Sequence, residues 1–385
     1  MYLAKEFIRH GFELHVITPE TRFVEDTDYS LDVPATVHRV PVLFHSTSTN
    51  MNSSLHSFLC KVWHNCFKII DAQEGWTLPA IAKALTIIQD TGIQLIIASG
   101  PPFSTFVAAA IVSLLTDLPL VLEYRDPWSN NTGRSFPRLT GQFWAHIIEK
   151  MILKRAAATV FCTDRMQAAF SESFGNSLHD RKSVTITNGF STTIENPSSK
   201  IDTIEKHILY AGKFYGGRSI NMIASAAQKY TLLGIPLRFS IAGPILQEQE
   251  RTLFSEVAPD VKLEELGWLD YCDVMKVMEN ADLLFLPSGR DHSYAIPFKF
   301  FDYLQAHVPI LAIAPFESAV KDIVQETDCG EFASIDDPDE IEEVLVSLLN
   351  RKKSFSWKNI DAYHWHNLSS KYRNFLINVL DATIC

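Results

Sequence analysis

No stretch of this 385-residue chain approaches the roughly 20 apolar residues that a bilayer span requires. The longest, Phe106 to Leu115, is ten residues with Ser113 inside it. The opening MYLAKEFIRHGFELHVIT lacks the basic n-region, apolar h-region and small-residue cleavage site of a secretory signal. Paired cysteines are missing as well. Cys60, Cys66, Cys162, Cys272, Cys329 and Cys385 are scattered with no CxxC, so they read as reduced thiols of a cytosolic protein. Basic charge is in deficit: 34 Lys+Arg stand against 45 Asp+Glu, a net charge of −11. Nucleic acid is not the expected partner, because neutralising phosphates needs a basic face. No GxGxxG follows a strand with an acid about 20 residues later, which argues against a nicotinamide-dependent dehydrogenase. What remains is ordinary globular material, 46% hydrophobic and 21% charged, long enough for two or three domains.

Short β-branched runs alternate with helical patterns, the signature of a parallel α/β architecture. In the first half, strands are expected at 13–18, 35–40, 94–98, 118–123, 158–162 and 184–187, with helices at 77–91, 104–116, 138–155 and 164–174. In the second half, strands are expected at 207–211, 237–242, 261–266, 283–286, 310–314 and 330–333. Helices fall between them at 219–233, 246–256, 270–280, 297–306, 316–326 and 337–351. The polar stretch STTIENPSSKIDT (191–203) is the linker candidate. The chain thus reads as two doubly wound, Rossmann-like parallel-sheet domains, 1–192 and 204–360, facing a cleft where a ligand would bind. Residues 361–385 form a C-terminal helix expected to cross back to the first domain. The start is anomalous. YLAKEFIRH followed by Gly11 reads as the end of a helix with its cap. The strand and Gly-rich turn that normally open such a domain do not precede it. The first sheet is therefore expected to lack its opening strand, leaving apolar edges beside 13–18 and 94–98.

Two segments carry chemistry. In AGKFYGGRS (211–219) a strand ends at Gly212, two more glycines follow, and a helix begins near Ser219. Such a turn offers backbone N–H groups and a helix N-terminus to an anion. Lys213 and Arg218 can add two cations; the alternative is a βα turn with two solvated basic residues. In LPSGRDHSYAIPFKFFDY (286–303), Lys299 and Asp302 share a helix face, with Phe298, Phe300 and Phe301 crowding the same helix. An ordinary surface ion pair is the alternative there.

The ordered succession SGPPFST, LVLEYRDPW, AAATVFCTD, VTITNGFS, AGKFYGGRS, IAGP, ELGW, NADLLFLPSG and PFKFFDYLQAHVPIL resembles family 4 glycosyltransferases of the GT-B fold. The PPFS and YRDPW pair is similar to the subgroup that builds bacterial surface polysaccharides. The resemblance implies a retaining transferase that moves a sugar from a nucleotide-sugar donor to a glycan or lipid-linked acceptor. It implies Gly212, Lys213, Arg218, Phe298 and Lys299 around the donor diphosphate, with Lys213 where the family usually has Arg and Arg218 where it usually has Lys. Asp302 would take the second acid position of the E-x7-E motif, facing the ribose. Tyr294 stands where the first acid, which contacts the sugar, would be. Leu266, Gly267 and Trp268 would meet the nucleobase. On the acceptor side fall Ser99, Gly100 and Ser104, with Arg125 and Asp126 as the catalytic candidates. For Ser104 an N-cap role is an equal alternative, and for Arg125–Asp126 a loop-fixing one. Such enzymes generally need no metal, since helix N-termini and basic residues stabilise the leaving diphosphate. No cofactor or metal is expected here, consistent with the lack of an Asp-x-Asp loop. Phe58, Leu59, Val62, Trp63, Cys66, Phe67 and Ile70 follow helical spacing. A core helix is the reading of that stripe, with peripheral contact to the cytoplasmic membrane face as its alternative. Tyr294 also leaves open a catalytically weak homologue that binds a nucleotide-sugar or serves as a scaffold.

Overall fold

The computed structural model describes residues 2–20, 35–43, 70–71, 74–131, 141–175, 182–191, 204–350 and 354–384. The 58–70 stripe and most of the linker lie outside these residues. The chain divides into two units, 1–187 with 368–385, and 188–367. Among the described residues no helix is long and apolar enough to cross a membrane.

The first unit contains α1 (Tyr2–Arg9), β1 (His15–Pro19), β2 (Thr36–Val40), α2 (Thr77–Asp90), β3 (Ile96–Gly100), α3 (Ser104–Thr116), β4 (Leu120–Tyr124), α4 (Gly141–Arg155), β5 (Ala158–Phe161), α5 (Asp164–Phe174) and β6 (Lys182–Thr185). β3, β4, β5 and β6 form one parallel sheet in that order, while among the described residues β1 pairs only with β2, also in parallel. Among the described residues β3 bonds on one side only, to β4, so there both segments expected to flank a gap are edge strands of separate sheets. One apolar cluster bridges the two pieces: Val40 of β2 packs with Ala80 and Ile81 of α2 and with Ala108 and Val112 of α3, and Ile17 and Ile96 lie against it. Behind β4 an aromatic chain fills the core. Phe103 stacks on Trp128 at 5.3 Å, and Tyr124 meets Phe106 at 4.7 Å and Phe170 at 4.6 Å.

The second unit runs β7 (Lys206–Ala211), α6 (Asn221–Thr231), β8 (Leu237–Ala242), α7 (Glu248–Val257), β9 (Lys262–Gly267), α8 (Tyr271–Glu279), β10 (Leu283–Pro287), α9 (Lys299–Ala306), β11 (Ile310–Ala314), α10 (Ala319–Thr327), β12 (Gly330–Ser334) and α11 (Pro338–Leu349). Its all-parallel sheet has the order β12-β11-β10-β7-β8-β9. Alternation along β7 shows why both faces are covered. Ile208 and Tyr210 enter the cluster with α6, α7 and α11, while Leu209 and Ala211 enter the one with α9 and α10. The winding reverses between β7 and β10, and the carboxyl ends of strands at such a reversal are where open α/β sheets bind ligands. α12 (Trp365–Ile384) buries Leu368, Tyr372, Leu376 and Val379 on one stripe. It packs on the first unit: Tyr372 meets Phe7 at 5.2 Å, and Lys371 Nζ donates to the Thr185 carbonyl at 2.8 Å.

Several boundaries differ from the sequence reading, for identifiable reasons. β1, β3 and β4 run one or two residues further than their β-branched cores, because pairs such as Pro19↔Val40 and Gly100↔Tyr124 extend the ladders. β6 starts at Lys182 and stops at Thr185 rather than spanning 184–187, since Lys182 and Ser183 pair with Ala158 and Thr159. Those polar residues sit on an edge strand and carry no apolar signal. α9 begins at Lys299 and not at Pro297.

Candidate active site

At the reversal point, three glycines end three neighbouring strands. The Gly212 N–H donates to the Ala242 carbonyl at 2.7 Å, and the Gly243 N–H to the Gly267 carbonyl at 2.8 Å. Gly212 and Gly267 have positive φ, and a Cβ on Gly243 would come within 2.4 Å of the Gly212 oxygen. The strand ends therefore form a bare ledge that side chains would fill. Beyond it, the 215–217 turn lies on the loop after β10, where a Cβ on Gly289 would stand 2.1 Å from the Gly216 oxygen. His292 packs against Gly216, within reach of Arg218's charge, which together with burial lowers the imidazole's pKa.

Onto this ledge comes Lys299 from the first turn of α9. Its Nζ lies 3.7 Å from the Tyr210 ring centroid and closes on Gly212, where even a methyl group would be 2.8 Å away. That Nζ is buried with no hydrogen-bond partner. Burial, then Arg218's charge, push its pKa down to about 6. An ammonium at a helix N-terminus also faces the positive end of the helix dipole. Arg218 is buried too, its guanidinium 4.5 Å from the Tyr215 ring centroid and its Nε without a partner. A guanidinium and an amine that burial keeps mostly uncharged above pH 6 are thus held together, an arrangement in which a bound anion favours the charged form of the lysine. Asp302 lies one turn along α9. It accepts a hydrogen bond from the Tyr271 hydroxyl at 3.2 Å, and burial raises its pKa to about 6.

Two tyrosines absent from the sequence reading brace the site. Tyr303 accepts from the Ala211 N–H at 2.9 Å and donates to the Phe285 carbonyl at 3.2 Å, linking the ends of β7 and β10. Tyr210 donates to the Lys213 carbonyl at 2.8 Å and stacks on Phe214. Their only sequence signal was an aromatic residue at a strand end or helix face, which is shared with any core position. Of the expected diphosphate residues, Gly212, Arg218 and Lys299 come together, whereas Lys213 is exposed and Phe298 is half-exposed at the start of α9. Tyr294 lies beside His292, with ring centroids 6.3 Å apart. Leu266 packs partly into the core, and Trp268 beyond Gly267 is 78% exposed.

In the first unit, Arg125 and Asp126 follow β4, half-buried. Arg125 pairs with Glu123 at 3.2 Å, and its N–H donates to the Gly100 carbonyl at 2.9 Å. Fully buried Glu149 accepts from the Ser129 N–H at 3.0 Å. Burial and that carboxylate hold the Tyr124 phenol well above its ordinary pKa. Ser99 is exposed and Gly100 is buried. Ser104 corrects both of its expected roles. It is neither an N-cap nor open to a ligand, but a fully buried first helical residue after the cap Phe103. Its hydroxyl accepts from Trp76 Nε1 at 3.1 Å, and its N–H donates to Asp71 at 2.7 Å.

Two family models match the chain: a glycosyl transferase 4-like domain over residues 1–189 and glycosyl transferases group 1 over residues 191–359. No curated protein matches. Among solved structures, sucrose-phosphate synthase from Thermosynechococcus elongatus superposes with a TM-score of 0.69 at 12% identity, over 99% of this chain and 92% of that one. A glycosyltransferase from Rickettsia africae gives 0.65 at 10%, over 98% and 93%. WaaG, a glycosyltransferase involved in lipopolysaccharide biosynthesis, gives 0.59 at 14%, over 97% and 94%.

Proposed function

The chain belongs to the group 1 glycosyltransferases of GT-B fold, and from that premise we propose that it moves a sugar from a nucleotide-sugar donor to a glycan or lipid-linked acceptor, with retention, in cytoplasmic polysaccharide synthesis. The observation that carries this reading is the pair of buried basic groups, Lys299 Nζ and Arg218 Nε, without hydrogen-bond partners at a glycine ledge. A diphosphate supplies the missing acceptors. When the bond from the sugar's anomeric carbon to the diphosphate oxygen breaks, negative charge grows on that oxygen. Arg218, and Lys299 once it is protonated on donor binding, stabilise it in a poorly solvated site without a metal. Asp302 takes the ribose hydroxyls, Leu266, Gly267 and Trp268 the base, and the first unit the acceptor, beside Ser99, Gly100, Arg125 and Asp126.

The test is titration calorimetry with a panel of nucleoside diphosphates, followed by transfer from the matching nucleotide-sugars with and without EDTA. One nucleoside diphosphate binding tightly, with EDTA-insensitive turnover, is the expected result. No binding from any of them refutes the reading. Anomeric proton couplings of the product report retention. Tyr294 in the place of an acid favours a second reading, a donor-binding homologue with weak or no turnover. Binding without transfer, with transfer appearing in Tyr294→Glu, would select it.

A further inference from the structure

Two imidazoles join β1 to β2. In the ladder His15 lies opposite Thr36 and Ile17 opposite His38, so His15 and His38 meet diagonally. Alternation along each strand puts them on the same face as Ile17 and Val40, which pack into the apolar cluster with α2. His15 Nδ1 and His38 Nε2 are 3.0 Å apart, while the ring centroids are 5.3 Å apart and the ring planes differ by 9°. The centroid separation exceeds the nitrogen separation by a ring radius on each side. The rings therefore meet end to end, in nearly one plane, and not face to face. An imidazole N–H lies in the plane of its ring, so this contact is a linear N–H···N hydrogen bond.

Such a bond counts protons. Glu13 Oε1 lies 3.2 Å from His15 Nε2, and a carboxylate only accepts. His15 Nε2 therefore carries hydrogen; in the neutral ring Nδ1 is the acceptor, and His38 Nε2 donates to it. One added proton keeps the bond, because His15 then donates through Nδ1 while His38 moves its hydrogen to Nδ1 and accepts through Nε2. A second added proton leaves hydrogen on both facing nitrogens and sets two positive charges against each other. The charged groups set against the pair are Glu13, largely exposed before β1, and Lys83 on α2. Burial, then Lys83, then His15 lower the pKa of His38 below its ordinary 6.5. A lowered imidazole takes up its proton more readily once the strands part. The closed pair is thus fully favoured above 6.5 and loses ground as pH falls through 6.5 toward the lowered value.

We propose that His15 and His38 form a proton-operated latch between β1 and β2, closed while a single hydrogen lies between the facing nitrogens and released when both imidazoles are charged, so that mild acid opens this ladder and uncovers Val40 while the rest of the chain stays folded. Two measurements on the full-length protein test it. Nitrogen NMR at pH 7.5 should show a coupling across the hydrogen bond between the two rings. Val40 is 4% exposed, so the thiol of Val40→Cys reports opening when a dipyridyl disulfide, which reacts in mild acid, is followed by peptide mass spectrometry. Its rate, divided by that of a peptide of the same sequence, should rise about tenfold between pH 7.5 and 5.5, one proton's worth of linkage. Cys329, fully buried in the second unit, should show no such rise. His38→Gln in the same background keeps a side-chain donor for His15 but does not titrate, and it should flatten the pH dependence. No coupling, a flat response with His38 in place, or an equal rise in His38→Gln overturns the proposal. Should the glutamine variant react fast at both pH values, the coupling and the rise with His38 in place decide alone. The assay contains no nucleotide, so its outcome is independent of donor binding.

Discussion

Lys299 should take up a proton when the donor binds. In the free protein, burial and Arg218 hold its pKa at about 6. At pH 8 only about one molecule in a hundred carries the charge, and restoring it costs about 2.7 kcal/mol. A diphosphate on the ledge favours the ammonium, so the pKa rises in the complex and binding draws in a proton. Between pH 7.5 and 8.5 the Kd should therefore weaken about tenfold. A terminal phosphate, with a second pKa near 6, is fully ionised across that range. The neighbouring groups stay out of it: Asp302 titrates at about 6, His292 is lowered and the Tyr210 phenol is raised. The assay is calorimetry in buffers of different ionisation enthalpy, which should report uptake of about one proton at pH 8. Lys299→Met should abolish the uptake and flatten the pH dependence. No uptake by the native protein, or equal uptake by the variant, refutes the argument. The same shift acts on folding. The unfolded lysine holds its proton to about 10.4, so the cost of burying it is complete below pH 6 and is relieved as pH rises toward 10.

Arg218→Ala together with Lys299→Ala should weaken nucleoside-diphosphate binding at least 100-fold by calorimetry, since two charge-assisted contacts are lost. Gly243→Ala should abolish the same binding or lower the thermal midpoint by several degrees. Its Cβ would stand 2.4 Å from the Gly212 oxygen, so the ledge must open. Glu149→Ala should destabilise the first unit by about 2–4 kcal/mol in urea denaturation, because the buried Ser129 N–H loses its acceptor. Arg218→Ala as a control should leave that urea transition nearly unmoved.

Much of this molecule was legible in its sequence because periodicity and short local signals carried it. α3 and α5 fall where their patterns ended, at 104–116 and 164–174. The Thr163 cap that starts α5 accepts from the Met166 N–H at 3.1 Å. Gly212 and Arg218 were legible as a turn glycine and a cation after a strand end, and Lys299 as a residue sharing a helix face with Asp302. What was not legible depends on partners distant in the chain. Ser104 follows a turn as a capping residue would, but Trp76 and Asp71, from before α2, draw it inside. Glu149 looks like one polar residue on a mixed helix until the loop after β4 is folded against it. Spacing shows that α4 carries apolar stripes, not which of them the sheet covers.

The two-piece sheet of the first unit sets a gradient of local opening. β4 lies between two ladder partners and is buried throughout, so its amides exchange with solvent only when the whole unit unfolds. Among the described residues β1 has β2 as its one partner, and a two-stranded pair gains little from its own hydrogen bonds. Its attachment to the rest is the apolar cluster under α2. His15–Pro19 and Thr36–Val40 are therefore expected to form a separate cooperative unit of low free energy. Their amides should label with deuterium well before those of β4, by routes that leave the aromatic core closed.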